Sequence, residues 1–429
     1  MITILLFVIF FVSLLCSIPL GVSIGMASLL VMEFVPGAPS TIVMIKNAVV
    51  GADNFPLVAV PMFILAGEIM LEGGLSARII SVANILVGRF RGGLAYVNVL
   101  ASMFFAALSG SSPATVAAIG SNMIPLMEKH GYRRDFSAAL TSASGMLGVM
   151  IPPSIPLIIY GVTANESLSS LFLAGVLPGV IFGISYMIAA RFVVSQNMNA
   201  PTSQEKTTSR SDGSNGFISG LWALMVPVIV LGGIYGGIFT PTEAAGVAVV
   251  YALFVGIVIY KEIKLKNVVD ILVRSSVVSA TVMIIVVMAF AFGRLLTIQE
   301  VPSLLVSLMA EITGNQLIIL ALVNILLLIV GMFMEPVAAI LILTPILLPV
   351  LTAVGVNAIH FGVIITCNLA IGFCTPPVGI NLFVASGIAK IPIEHILRKL
   401  PPFLIAMLVS MAIVTYVPAV SLYLPSLAK

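Results

Sequence analysis

The chain has 429 residues, 60% of them hydrophobic and only 8% charged, with a mean hydropathy of +1.22. Long apolar runs at that charge density exclude an ordinary soluble domain and imply an all-α polytopic membrane protein. The net charge of +3 suggests no nucleic-acid partner; the placement of Lys and Arg matters more, because these residues mark cytoplasmic loops. Cys16, Cys367 and Cys374 lie in apolar segments and read as core thiols, not a disulfide or metal site. His130, His360 and His395 are scattered and read as single surface or interfacial residues. No G-x-x-x-x-G-K-[ST] loop occurs, so ATP hydrolysis by that route is excluded.

Taken in order, the N-terminus MITILLFVIFFVSLLCSIP lacks the basic flank of a secretory signal and is expected to remain as a transmembrane helix. The apolar run 2–34 is one tilted helix or two short ones around Pro19 and Gly21. Residues 39–50 read as a connecting arm, and Phe55–Glu72 as a helix of spanning length. Glu68 and Glu72 share a face near its end, as solvated carboxylates at an interface. A short amphipathic segment follows at 75–88.

Residues 93–128 form a re-entrant hairpin. Its arms, 93–109 and 113–128, each cover roughly 24 Å, short of the ~30 Å hydrocarbon core. They turn at Ser109-Gly-Ser-Ser-Pro113, and basic residues flank both ends: Arg89 and Arg91, then Lys129, Arg133 and Arg134. The segment therefore enters from the cytoplasmic side and returns to it. A broken helix, 136–163, is interrupted at Gly148-Val-Met-Ile-Pro-Pro153. Residues 171–194 cross back, and 196–215 read as a flexible cytoplasmic linker, which bounds a first repeat of 1–195.

The second unit, 216–429, begins with helices at 217–239 and 244–260, a basic cytoplasmic stretch at 261–266 within an amphipathic arm at 261–270, and a crossing at 276–296. From Leu295 to Ala389 there is no Lys or Arg, so the loops at 311–316 and 355–360 belong outside. A second hairpin, 317–354, turns at Met334-Glu335-Pro336, and a second broken helix, 361–388, is interrupted at Gly372-Phe-Cys-Thr-Pro-Pro377. A last crossing at 403–422 leaves both termini periplasmic. Arg294 reads as snorkelling to the outer interface.

The halves match in register. Pro113-Ala-Thr-Val-Ala aligns with Pro336-Val-Ala-Ala, and Gly148-x-x-x-Pro-Pro with Gly372-x-x-x-Pro-Pro. Gly131 precedes Pro152 by 21 residues, as Gly355 precedes Pro376. With one hairpin on each side, the repeats are inverted, a pattern of secondary transporters with a midplane site built from discontinuous helices. Proline breaks free backbone carbonyls, and carbonyls with hydroxyls suit a hard monovalent cation such as Na⁺. The first site would use Ser109, Ser111, Gly148, Ile151 and Pro152; the second Gly331, Met334, Gly372, Thr375 and Pro376. At least two Na⁺ ions are expected. Ser112, Thr115, Asn122, Glu335 and Asn381 are candidates for the substrate cavity, although buried polar side chains also bond simply to neighbouring helices. Glu335 would be paired, protonated or part of an ion site.

LSGSSPAT (108–115) with GVMIPPS (148–154), and MEPVAA (334–339) with GFCTPPVGINLF (372–383), resemble the large membrane subunit of TRAP (tripartite ATP-independent periplasmic) transporters. The resemblance covers essentially the whole chain. It implies an elevator-type, Na⁺-coupled importer of organic acids in the bacterial inner membrane. It also implies two partners, a periplasmic substrate-binding protein and a small four-helix membrane subunit, the latter expected as a separate chain. Family substrates include sialic acids and C4-dicarboxylates; sialic acid is the expectation here. The alternatives are a stand-alone Na⁺/dicarboxylate symporter, a passive channel, and an intramembrane hydrolase using Ser111 or Ser112, for which no His or Lys falls at a matching depth.

Overall fold

The computed structural model describes residues 2–35, 39–90, 92–197, 212–312 and 314–428, and all regular structure among them is helical. The first helices are α1 (Ile2–Leu15), α2 (Leu20–Phe34), α3 (Thr41–Ala52), α4 (Ala59–Glu72, entered through a 3₁₀ turn at Phe55–Val58) and α5 (Leu75–Val87). The apolar N-terminal run is thus two helices, parted at Ser17 to Pro19. The first hairpin is α6 (Gly93–Ser109) and α7 (Ser112–Lys129). The first broken helix is α8 (Arg134–Gly145), a 3₁₀ turn at Met146–Val149 and α9 (Ile155–Ala164), followed by α10 (Leu168–Asn197). Most of the expected linker, 198–211, lies outside the described residues.

The second half runs α11 (Asp212–Tyr235), α12 (Pro241–Phe254), α13 (Leu265–Ile298) and α14 (Val301–Ile312). Its hairpin is α15 (Gln316–Phe333) and α16 (Pro336–Ala353), and its broken helix is α17 (Ala358–Gly372) and α18 (Ile380–Ala389). The chain closes with α19 (Ile393–Leu397), α20 (Pro401–Tyr416) and α21 (Ala419–Leu427). Six described segments are long and apolar enough to cross a bilayer: Phe55–Glu72, Leu168–Val194, Pro241–Ile259, Lys266–Ile298, Gln316–Phe333 and Pro336–Ala353.

Local chemistry explains the ends of these helices. Thr240 and Glu243 close a capping box ahead of α12. Asn357 caps α17 by accepting from the amides of Ile359 and His360. Gly131 and Gly355, the matched glycines of the two halves, both take positive φ (81° and 86°) in the turn from hairpin to broken helix, a conformation in which a side chain is strained.

Several expectations need correction. The amphipathic arm at 261–270 does not stand apart from the crossing at 276–296, because α13 runs unbroken for 34 residues from Leu265. No proline interrupts that stretch, and its only glycine is Gly293. The loop placed at 311–316 begins inside α14, an amphipathic helix that precedes the second hairpin as α5 precedes the first. The last crossing is bent by 56° between α20 and α21, at Pro418. Cys16 is exposed at the end of α1, whereas Cys367 and Cys374 are buried. His360 is buried rather than interfacial: its Nε2 lies 3.2 Å from the Thr415 carbonyl and its Nδ1 2.5 Å from the Ser421 hydroxyl.

The two halves interlock. The inner arm of each hairpin packs against the second segment of the other half's broken helix, α7 against α18 and α16 against α9. Each hairpin also packs on its own broken helix, α7 on α8 and α15 on α17. Four half-helices, two tips and two breaks are thereby held together.

Candidate functional site: two tips and two breaks around one cavity

At the first tip, Gly110 ends α6 in the left-handed region and Pro113 starts α7. The Ser109 hydroxyl lies 2.9 Å from that of Thr115, and Thr115 donates to the Ser111 carbonyl at 2.8 Å. Gly148 presses on this group from the break. A Cβ there would fall 2.4 Å from both the Ser111 carbonyl oxygen and the Thr115 hydroxyl. Ser109, Ser111 and Gly148 therefore come together, with Thr115 added. Ile151 and Pro152 are buried within the break, and Ile151 packs on Gly179 of α10. The break carbonyl that meets the tip is that of Pro153, 2.9 Å from where a Cβ on Gly110 would sit.

The second tip repeats the close approach through backbone alone. A Cβ on Gly372 would lie 2.0 Å from the Gly331 carbonyl oxygen. A cavity of about 30 Å³ is lined here by Gly331, Met334, Gly372 and their neighbours, above the roughly 10–15 Å³ that one water requires. Thr375 and Pro376 do not line it. The Thr375 hydroxyl donates to the Ile371 carbonyl at 2.8 Å, and Pro376 is exposed.

Between the tips lies a larger cavity of about 220 Å³. Its wall includes Ser112 and Ala114 at the start of α7, Ile155 at the start of α9, Val337 at the start of α16 and Ile380 at the start of α18. Four helix N-termini thus meet one space. Helix N-termini carry partial positive charge, which favours an anion; Ser154 caps the α9 end by accepting from the Leu157 amide. The α16 end is already satisfied, because the Glu335 carboxylate accepts from the amides of Val337 (3.1 Å) and Ala338 (3.4 Å). Neither α7 nor α18 has a side-chain cap.

Of the cavity candidates, Ser112 and Glu335 line this space, and Thr115, Asn122 and Asn381 do not. Asn122 is exposed, ten residues along α7 from Ser112. Asn381 is fully buried and joins the two halves. Its amide donates to the Ser112 hydroxyl (2.8 Å) and to the Ser142 carbonyl (2.9 Å), and Cys374 reaches the same carbonyl at 3.1 Å. The cavity's other wall, Ile64, Gly67, Glu68 and Leu71 of α4 with Val278 and Val282 of α13, did not figure among the candidates. An ionisable residue inside an apolar spanning helix is the signal for Glu68.

The chain matches the family described as "Tripartite ATP-independent periplasmic transporter, DctM component" over residues 7–420. It is 44% identical over 406 residues to the isethionate TRAP transporter permease protein DctMQ of Oleidesulfovibrio alaskensis, covering 95% of this chain and 64% of that protein. This chain thus spans less than two thirds of that relative. It is 43% identical to the C4-dicarboxylate TRAP transporter large permease protein DctM of Pseudomonas aeruginosa, over 87% of each chain. It is 39% identical to the sialic acid TRAP transporter large permease protein SiaM of Vibrio cholerae, over 88% of each. The crystal structure of the Alcanivorax borkumensis YdaH transporter, described as having an unusual topology, aligns with a TM-score of 0.58 over 95% of this chain and 97% of its own. At 14% identity that likeness concerns fold alone. The apolar spans, the paired hairpins and breaks, and the matches along nearly the whole sequence agree: this is a multi-pass membrane protein that belongs to the DctM component family of TRAP transporters.

Proposed function

We propose that the chain is the translocating subunit of a Na⁺-coupled importer of organic acid anions. The observation that carries this reading is the meeting of four half-helix N-termini around one cavity without a Lys, Arg or His in its lining. An anion would be held at the positive N-terminal ends of α7 and α18, which have no side-chain cap. The opposite helix ends, at Ser109 and Gly331, supply hydroxyls and carbonyls for monovalent cations. Cation binding orders each tip and offsets the charge of the anion, so the two ligands favour each other reciprocally.

The hairpins and broken helices, α6–α9 and α15–α18, would move as one body past α4 and α13, carrying the cavity across the bilayer as an elevator. The repeats would be inverted in the inner membrane, with both termini periplasmic. Named relatives carry C4-dicarboxylates, sialic acid or isethionate, all organic anions, at similar identity to this chain. The substrate class is accordingly a small carboxylate or sulfonate. A periplasmic substrate-binding protein and a small membrane subunit complete the transporter.

The test is uptake into vesicles holding the chain with its membrane partner. Substrate is supplied with or without the soluble binding protein, and with or without an inward Na⁺ gradient. Uptake should require both. Na⁺-driven uptake that ignores the binding protein would identify a stand-alone symporter instead, and uptake indifferent to Na⁺ would remove the coupling.

A further inference from the structure

The cavity wall carries two carboxylates, Glu68 and Glu335, and they are not equivalent. Glu335 caps α16 and belongs to the hairpin tip. Glu68 lies on α4, on the opposite wall, and is half-buried. Among the described residues it takes part in no hydrogen bond or ion pair, whereas Glu72, one turn on, is held by Arg274 of α13 at 2.6 Å. Arg274 acts on Glu68 only through longer-range attraction. A negative charge with no contact partner therefore faces both tips from the wall they would move past.

We propose that Glu68 is a coupling residue: it restrains tips that hold cations without an anion, and it disfavours an anion that arrives without cations. This rests on the Na⁺-coupled elevator reading above. The charge of the moving body differs from state to state. Two bound monovalent cations raise the charge of the moving body by two, and the bound anion lowers it again, by one for a monocarboxylate or sulfonate and by two for a dicarboxylate. Glu335 and the helix ends contribute equally to every state and leave the order unchanged. Across a low-dielectric cavity, Glu68 attracts the cation-only body most strongly and repels the anion-only body most strongly. The empty and fully loaded bodies are the two that Glu68 holds or repels least.

The experiment uses the complete transporter in vesicles and reads two quantities, radioactive Na⁺ flux without substrate and the ratio of Na⁺ to substrate moved. Glu68→Gln should raise the substrate-free Na⁺ flux on the order of tenfold, and should move the ratio away from its wild-type value. Glu68→Asp should lie between Gln and wild type, and it serves alone if the Gln variant fails to insert. Glu72→Gln, which lies outside the cavity, should keep the wild-type ratio. A wild-type ratio in both Glu68 variants, with uptake still Na⁺-driven, overturns the inference and leaves the transport reading intact. Equal uncoupling in Glu72→Gln overturns it as a general charge effect. Wild-type uptake indifferent to Na⁺ overturns both.

Discussion

Asn381 shows what a single side chain does here. It ties the start of α7 to the second break across 269 residues of sequence. Asn381→Ala would leave the Ser112 hydroxyl without its buried partner and the Ser142 carbonyl with the weak Cys374 thiol donor alone, at about 1–3 kcal/mol. The purified variant should melt at a clearly lower temperature than wild type; an unchanged melting point would mean that the node contributes nothing. The expected cavity role of this residue was not legible as a node, because sequence pattern carries no information about contacts so distant. Thr115 was misplaced for a related reason. It lies one helical turn from Ser111 and folds back onto that carbonyl, so it joins the tip instead of the wall. Glu68 read as a solvated carboxylate because hydropathy along one helix cannot tell an interface from a cavity that other elements enclose.

At the scale of elements, the helix ends at the two turns and the two breaks were legible to within a few residues. Gly, Pro and Ser interrupt apolar runs there and nowhere else at matched spacing, and such interruptions are tolerated in a bilayer only where protein or a cavity satisfies the freed groups. The continuous α13 and the extra α14 were less so, since basic residues and a helix boundary look alike in sequence. The second tip depends on a cap. Glu335→Ala removes the acceptor that holds two amides at the start of α16, a loss of about 1 kcal/mol. Glu335→Gln keeps a carbonyl oxygen in place and should retain most of that stability. Thermal unfolding of the two variants checks this: equal losses would mean that the charge, not the capping geometry, stabilises the tip.

At the scale of the whole molecule, the interlocking of α7 with α18 and of α16 with α9 makes the two tips and two breaks a single unit. Neither half can build the cavity alone, which is why the internal repeat in the sequence was the most informative sign of function. In the proposed mechanism both tips bind cations next to one anion. The direct measurement is uptake against external Na⁺ concentration for wild type, Gly148→Ala and Gly372→Ala, with Gly387→Ala as a control whose added Cβ meets open space. Wild type and the control should show a cooperative Na⁺ dependence with a Hill coefficient above one. Each tip variant should need at least about tenfold more Na⁺, because its methyl group would sit 2.4 Å or 2.0 Å from a tip carbonyl oxygen. A Na⁺ dependence identical in all four proteins would contradict the account.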